Sequence, residues 1–472
     1  MKKFLVLICS IFLLTGCQQD KEKLILVTEA GFAPYEYYSN GEIVGVDIDI
    51  AKEIAKELNM ELVIKDVAFD SIINEVKTGK SDIGAAGISY TPERAMEINF
   101  TNSYAESKQV VIIKKGGYTT GLDNLANGKV ACQLGSVADD YLSSNYFDIE
   151  IIREKKFLAA IQDLKDNKVD AVVMDELPAT RLIDDSMDIL PEPLLVDTYG
   201  MVIAKENSEL LENVNVVIDK LKASGKIDEF LLNHMEVDEE TTKKGNIFDK
   251  FYKSVIYDGR YKYILEGLKN TLLIALGAVF IGIILGLIAA LSNNIYKNTG
   301  KFELLNKLSK LYVTIIRGTP STLQLMIIYY VVFKQTSINI VLVGIFAFGI
   351  NSGAYVAEII RAGLNSIDKG QWEAGYSLGL SYSQIVGKII LPQSINNILP
   401  ALGNEFITLI KETSIGAYIG IVELTKASDI IASRTYDYFF PLIFIAIIYL
   451  VITLLLTKLI NAMERRLNNA RN

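Results

Sequence analysis

Hydrophobic positions change their spacing twice along this chain. Between residues 24 and 234, short apolar runs at 24–27, 62–64, 110–113, 130–131, 171–173 and 201–203 alternate with periodic segments such as 50–58, 71–78 and 157–167. The runs read as buried strands and the periodic segments as helices, which predicts an α/β unit with mainly parallel sheets. Residues 236–245, EVDEETTKKG, are charged and aperiodic, as a solvated linker would be. Phe248, Phe251, Tyr252, Val255 and Ile256 then recur at helical spacing, with Tyr257, Tyr261 and Tyr263 behind them. This predicts a short amphipathic helix, lying at a membrane interface or packed beneath the first unit. Five longer apolar stretches follow, at roughly 268–291, 312–333, 338–360, 395–421 and 438–460, each near the length that crosses hydrocarbon.

Charge separates the same two halves. Of the 472 residues, 18–240 carry 43 acidic against 22 basic side chains, whereas the residues beyond 240 carry 13 against 23. A basic, apolar half suits the cytoplasmic membrane face rather than nucleic acid. At the start, Lys2 and Lys3 precede an apolar run at 4–14 that is too short for an ordinary span. Leu14-Thr15-Gly16-Cys17 then reads as a lipobox, predicting a signal peptide over 1–16, lipidation of Cys17 and a tether over 17–23. An uncleaved anchor is the competing reading. With the linker outside, the first span runs inward. Eleven basic residues between Lys297 and Arg471 then fall inside, against Lys334, Lys426 and Arg434 outside, and residues 361–394 become cytoplasmic.

Composition also excludes chemistry. His234 is the sole histidine, which rules out histidine triads, phosphorelays and multi-histidine metal sites. With Cys9 in the signal and Cys17 lipidated, Cys132 has no partner for a disulfide. No GxxxxGK[ST] occurs, so the chain has no P-loop for ATP. No metal or other cofactor is expected.

Three motifs sharpen the first half: FAPYEYYSNGEIVGVDIDIAKEIAKEL (32–58), GAAGISYTPERAMEINFTNSY (84–104) and VDAVVMDELPA (169–179). In that order they resemble the signatures of amino-acid-binding receptors of bacterial importers (solute-binding proteins, family 3), over essentially all of 24–235. The second half resembles polar-amino-acid permeases of ATP-binding-cassette importers. GLKNTL (267–272), YVTIIRGTPSTLQL (312–325), GAYVAEIIRAGL (353–364) and LPALGNEFITLIKETSI (399–415) stand in the expected order. EAGYSLGLSYSQIVGKIILP (373–392) is similar to the "EAA" loop that docks on a separate ATPase, with Gly375 in place of its second alanine.

The resemblance implies a bilobed, periplasmic-binding-protein-like (type II) α/β domain. Lobe 1 would take about 24–108 and 205–235 and lobe 2 about 113–198, crossed by strands near 107–114 and 196–204. An all-α transmembrane domain of about five helices would follow over 266–462, after a linker and interfacial segment at 236–265, and residues 463–472 would form a cytoplasmic tail. A zwitterion needs a guanidinium and N–H groups for its carboxylate and an acid for its ammonium. Arg94, with Gly87 and Ser89, matches the family's carboxylate partners, and Gly135 and Ser136 match the second-lobe loop that completes that pocket. Asp175 matches the ammonium partner; its simpler reading is a helix cap after a strand. Phe32 and Phe69 match rings that sandwich the side-chain stem, with Tyr35 beside them. Glu29 stands where relatives place an acid for the ligand's side chain, which favours a cationic or amide group, while Met174 argues against glutamine.

In the loop, Glu373, Ala374 and Gly379 match the ATPase-coupling anchors. Polar residues inside the spans face a cavity or a partner; Asn404 and Glu405 are the candidates for a translocation path, with Asn351, Glu358, Lys411 and Glu412 behind them. The whole reads as receptor and permease of an amino-acid importer fused in one chain. Its partners would be a free amino acid, a separate ATPase, a second copy through the permease domain, and the bilayer. A ligand-gated channel is the alternative, yet such channels insert the pore within the binding domain and need a filter that is missing here. A hydrolase or dehydratase on the same bilobed fold is a third reading, without histidine or paired catalytic carboxylates to support it.

Overall fold

The structure is a computed structural model that describes residues 22–39, 41–116, 127–235, 247–333, 338–435, 437 and 439–469. The expected signal peptide, Cys17, the linker at 236–245 and Lys334 lie outside the described residues.

Two sheets carry the first half. Strand β1 (Lys23–Thr28) buries Leu24, Leu26 and Val27 and pairs in parallel with β4 (Glu61–Asp66) and β5 (Ile83–Gly84). Strand β13 (Val202–Ile203) joins β5 to β6 (Asn99–Phe100) in antiparallel pairing. In the second sheet β10 (Ala171–Asp175) is buried at all five positions, as expected of a strand covered on both faces. It runs parallel to β8 (Lys129–Gln133) and antiparallel to β7 (Ala105–Lys114). Strand β12 (Leu195–Tyr199) pairs with β7, Tyr199 opposite Ala105, so the chain crosses between lobes next to these two residues. All of 107–114 therefore belongs to the second sheet rather than to a hinge.

Apolar periodicity accounts for the helices over the sheets. Helix Val46–Glu57 buries Val46, Ile50 and Ile54, and helix Phe157–Lys165 buries Phe157, Ala160, Ile161 and Leu164. Their inward stripes join β1, β5, β7 and β10 in one core cluster. His234 belongs to the scaffold: its ring nitrogens meet Tyr37 Oη and Asp49 Oδ2, each at 2.9 Å.

Among the described residues of the second half, three helices are long and apolar enough to span a membrane: Tyr261–Thr299, Ile340–Asn365 and Phe439–Leu467. The first two pack through small residues; a Cβ on Gly286 would come within 2.6 Å of Val356, and one on Gly282 within 2.9 Å of Ser352. The stretch expected at 312–333 is two helices, Glu303–Gly318 and Ser321–Ile327, the latter continuing into a wider turn at Tyr329. The break falls at Thr319–Pro320, where proline supplies no N–H and forces its neighbour out of helical geometry. The stretch expected at 395–421 is helix Leu391–Glu412, continued by the tight turn Thr413–Ile419.

The halves meet through an apolar cluster of Ala30, Tyr38, Val255, Tyr263, Leu424, Ala427 and Ile431. Val255 of the turn Tyr252–Ile256 is buried in that cluster, whereas Phe248 of helix Ile247–Phe251 is exposed. At its centre Lys426 Nζ lies 2.8 Å from Asp66 Oδ2, and both side chains are nearly inaccessible. Asp66 also accepts from Tyr38 Oη at 3.0 Å and from Ala30 N at 3.1 Å.

Candidate functional site

Between the lobes Glu29, Phe32, Glu36, Phe69, Gly87, Ser89, Gln133, Ser136, Phe157 and Asp175 line one narrow cavity of about 10 Å³. An amino acid enters a space that small only when the lobes part. Seven of the nine residues expected from the sequence are on its wall; Arg94 and Gly135 close its edge.

Arg94 lies on the short helix Pro92–Glu97, where Thr91 caps the Arg94 N–H at 3.2 Å. Its Nη1 donates to Ser89 O at 2.9 Å and its Nη2 to Gly135 O at 2.8 Å, so one guanidinium ties lobe 1 to lobe 2. Asp140 lies 3.7 Å from Nη2. Burial pulls the Arg94 pKa down against the pull of Asp140 and Asp197, yet guanidinium stays charged. Ser136 caps helix Val137–Asn145 by accepting from Asp139 N at 3.3 Å, so that nine-residue helix opens onto the same edge. A guanidinium and a helix N-terminus converging on one edge form an anion site.

Gly87 has φ +53°, and a Cβ there would stand 2.6 Å from Phe32 Cε1, so glycine is required for both backbone and space. Its N–H is committed to Asp47 Oδ2 at 3.1 Å. Ser89 Oγ donates to Asp197, an acid that sequence reasoning did not single out.

Asp175 ends β10, buried. Its Oδ1 accepts from Gln109 Nε2 at 2.6 Å, from Ser107 Oγ at 2.9 Å and from Tyr199 Oη. It also precedes helix Glu176–Leu182, yet makes no side-chain cap there, which removes the simpler reading. Burial, then the neighbouring charge of Asp197, push its pKa up to about 7.

At the far end Glu29 is buried and meets Lys156 Nζ at 3.3 Å. The Glu36 carboxyl group receives no hydrogen-bond donor among the described residues. Burial and the facing Asp47 carboxylate raise it well above the usual range, and burial takes Asp47 itself to about 6. Phe32 stacks on Phe157 at 5.6 Å rather than on Phe69, which faces the same cavity from the turn Phe69–Ser71. Tyr35 is a core residue packed edge-on against Tyr199 at 5.0 Å. Phe157, Lys156 and Glu36 were not read as site residues. Glu36 lay inside the first motif, and Phe157 opened a periodic helix that reads as core.

The loop at 373–392 folds as helix Lys369–Ser377, a turn at Gly379 with φ +76°, and a capping box of Ser381 with Gln384. Gly375 is buried with its Cβ position 2.8 Å from Ile385, which accounts for its small size. Trp372 stacks on Tyr382, whose hydroxyl donates to Asn294 and fastens the loop to the first long helix. Glu373, Ala374, Tyr376 and Leu378 are left exposed. In the membrane half Glu405 accepts from Ser352 Oγ at 2.7 Å, whereas Asn404 is exposed; the two do not share a face. Asn351 donates to Gln324 at 2.8 Å, and Glu358 pairs with Arg361 and Arg317.

Such a molecule is a two-lobed receptor for a small zwitterion, joined to a helical membrane domain. Comparison with known proteins agrees for both halves. Residues 24–236 match the bacterial extracellular solute-binding proteins, family 3, and residues 282–469 match the binding-protein-dependent transport system inner membrane component. A Rickettsia typhi permease protein, GlnP, provisionally named for glutamine transport, is 38% identical over 46% of this chain and 96% of its own length. The arginine transport system permease protein ArtQ of Bacillus subtilis is 40% identical over 44% and 93%. Among solved structures, a mutant of ArgBP from T. maritima is 34% identical over 45% of this chain and 94% of that one, with a TM-score of 0.43. The chain belongs to the binding-protein-dependent amino-acid transport family, with the solute-binding domain and the membrane component in one polypeptide.

Proposed function

We propose that this protein is the receptor and translocation subunit of an ATP-binding-cassette importer for a basic amino acid. Arg94 and the helix start at Ser136 take the α-carboxylate, in place of the carbonyls that Arg94 now holds. Asp175, braced by Gln109, Ser107 and Tyr199, takes the α-ammonium. Phe32 and Phe157 flank the side-chain stem, with Phe69 on the same wall. The observation that carries the substrate class is the far end of the cleft, where Glu29 and Glu36 are both buried acids. A buried carboxylate is costly unless a cation meets it; Glu36 has no such partner among the described residues, and the Lys156 that meets Glu29 can give way to a cationic side chain. ArtQ is named for arginine and GlnP for glutamine; the acids favour the former.

The exposed face of the 373–392 loop supports docking of a separate ATPase through Glu373 and Ala374, with Gly379 setting the turn. The basic segments support a cytoplasmic position for that loop and an outer one for the lobes, with lipid at Cys17 as a further anchor. A two-fold pair of permease domains is the natural partner for two ATPases, and Glu405 with Ser352 supports a polar path between helices. Thermal-shift screening of the full chain against the common amino acids tests the substrate class. Arginine, lysine or ornithine should stabilise it most, and the shift should vanish in Arg94→Ala. Stabilisation by glutamate alone, or by no amino acid, would overturn the assignment.

A further inference from the structure

Lys156 does something that a ligand pocket does not require. It stands immediately before helix Phe157–Lys165 of lobe 2 without capping it, and its Nζ reaches 3.3 Å from Glu29 Oε1 of lobe 1. Its charge is also favoured by Asp66 of lobe 1 and by Asp429 of the helix Leu424–Thr435. That helix belongs to the permease half and also carries Lys426, the partner of Asp66. One ammonium of lobe 2 therefore pairs with the pocket acid of lobe 1 and is attracted by an acid of the membrane domain. Burial disfavours its charge, but Glu29, Asp429 and Asp66 outweigh that and hold its pKa above the ordinary lysine range. The neighbouring Lys155 Nζ lies 3.5 Å over the Tyr418 ring, so lobe 2 touches the permease segment 413–435 at a second point.

We infer that Lys156 is the internal counter-ion of Glu29, displaced by a cationic side chain and moved onto the permease's Asp429, so that it sets ligand preference and carries pocket occupancy to the membrane domain. This rests on the amino-acid site argued above. A guanidinium or ammonium arriving at Glu29 competes with Lys156 for one carboxylate, whereas an amide side chain leaves that pair intact. Two cations cannot share Glu29 without repulsion in a buried site, and the other acids that attract Lys156 are Asp429 of the membrane domain and Asp66, which is already paired with Lys426 of that domain. Lys156 is thus a positioning and specificity residue, not an additional ligand contact.

The test is equilibrium titration of the full chain in lipid nanodiscs with L-arginine and with L-glutamine. Lys156→Gln frees Glu29, and the arginine-to-glutamine affinity ratio should rise at least about tenfold. Lys156→Arg restores a competing cation and should return the ratio towards wild type. Asp429→Asn, which is not part of the pocket lining, removes the acceptor and should lower the ratio about three- to tenfold. A ratio unmoved by Lys156→Gln, or unmoved by Asp429→Asn, overturns this role while leaving the site intact. A wild-type chain that binds neither probe overturns the site reading and this role together.

Discussion

Asp175 gives the most quantitative handle on the site. With its pKa at about 7 in the unliganded protein, it is half carboxylate at pH 7 and only about 1% carboxylate at pH 5. An α-ammonium needs the charged form, so binding below pH 7 must expel a proton. Affinity should weaken about tenfold for each unit below pH 7, close to fiftyfold between pH 7 and pH 5, and level off above pH 8. Titration calorimetry in buffers of different ionisation enthalpy reads the expelled proton directly, close to one per amino acid at pH 6. Asp175→Asn keeps the three donors roughly in place but cannot ionise. It should bind at least about a hundredfold more weakly at pH 8, the scale for stripping a buried charge pair, and should lose this pH dependence. In the unliganded chain the sign is reversed. Between about pH 4 and pH 7 the folded state holds a proton that the unfolded chain has lost, so stability falls as pH rises, by up to ~1.4 kcal/mol per unit. An affinity that is flat from pH 5 to pH 8, with no proton released, would refute the role given to Asp175.

Other expectations follow from named contacts. Lys426→Met leaves Asp66 buried with only Tyr38 and Ala30 as donors; thermal and denaturant unfolding of the full chain should show a loss of about 2–3 kcal/mol, less than for a stripped ion pair, and Asp66→Asn should recover part of it. Gly87→Ala forces a Cβ into Phe32 at a left-handed backbone position, so it should cost about 1–2 kcal/mol of stability and weaken amino-acid binding. Glu373→Ala should leave equilibrium binding of arginine unchanged while abolishing uptake of labelled arginine by cells that express the complete importer.

Much of this was legible because local pattern and chemistry coincide. The apolar run at 171–173, with Asp175 close behind it, reads as a buried strand delivering an acid, and β10 is that strand. Arg94 follows a Thr-Pro helix start, and Thr91 caps it. Contacts between residues far apart in sequence were not legible. Lys156 against Glu29, Phe157 against Phe32 and Lys426 against Asp66 each join separate elements, and a periodic helix does not announce which lobe its first turn will face. The apolar run continues across Pro320, so hydropathy alone reads one span where proline divides two helices. Asp197 carried no signal at all: it sits on a half-exposed strand like any surface acid, yet Ser89 and Gln109 both donate to it.

The central claim is that the outer lobes of this chain hold a basic amino acid by its two charged ends and its cationic tip. The most direct measurement is calorimetric titration of L-arginine into the full-length protein, without ATP or metal, beside the Arg94→Ala and Glu29→Gln variants. One arginine should bind per chain, with affinity lost in the first variant and preference for arginine over glutamine lost in the second. Binding of arginine that survives Arg94→Ala unchanged, or no binding by the wild-type chain, would contradict the account.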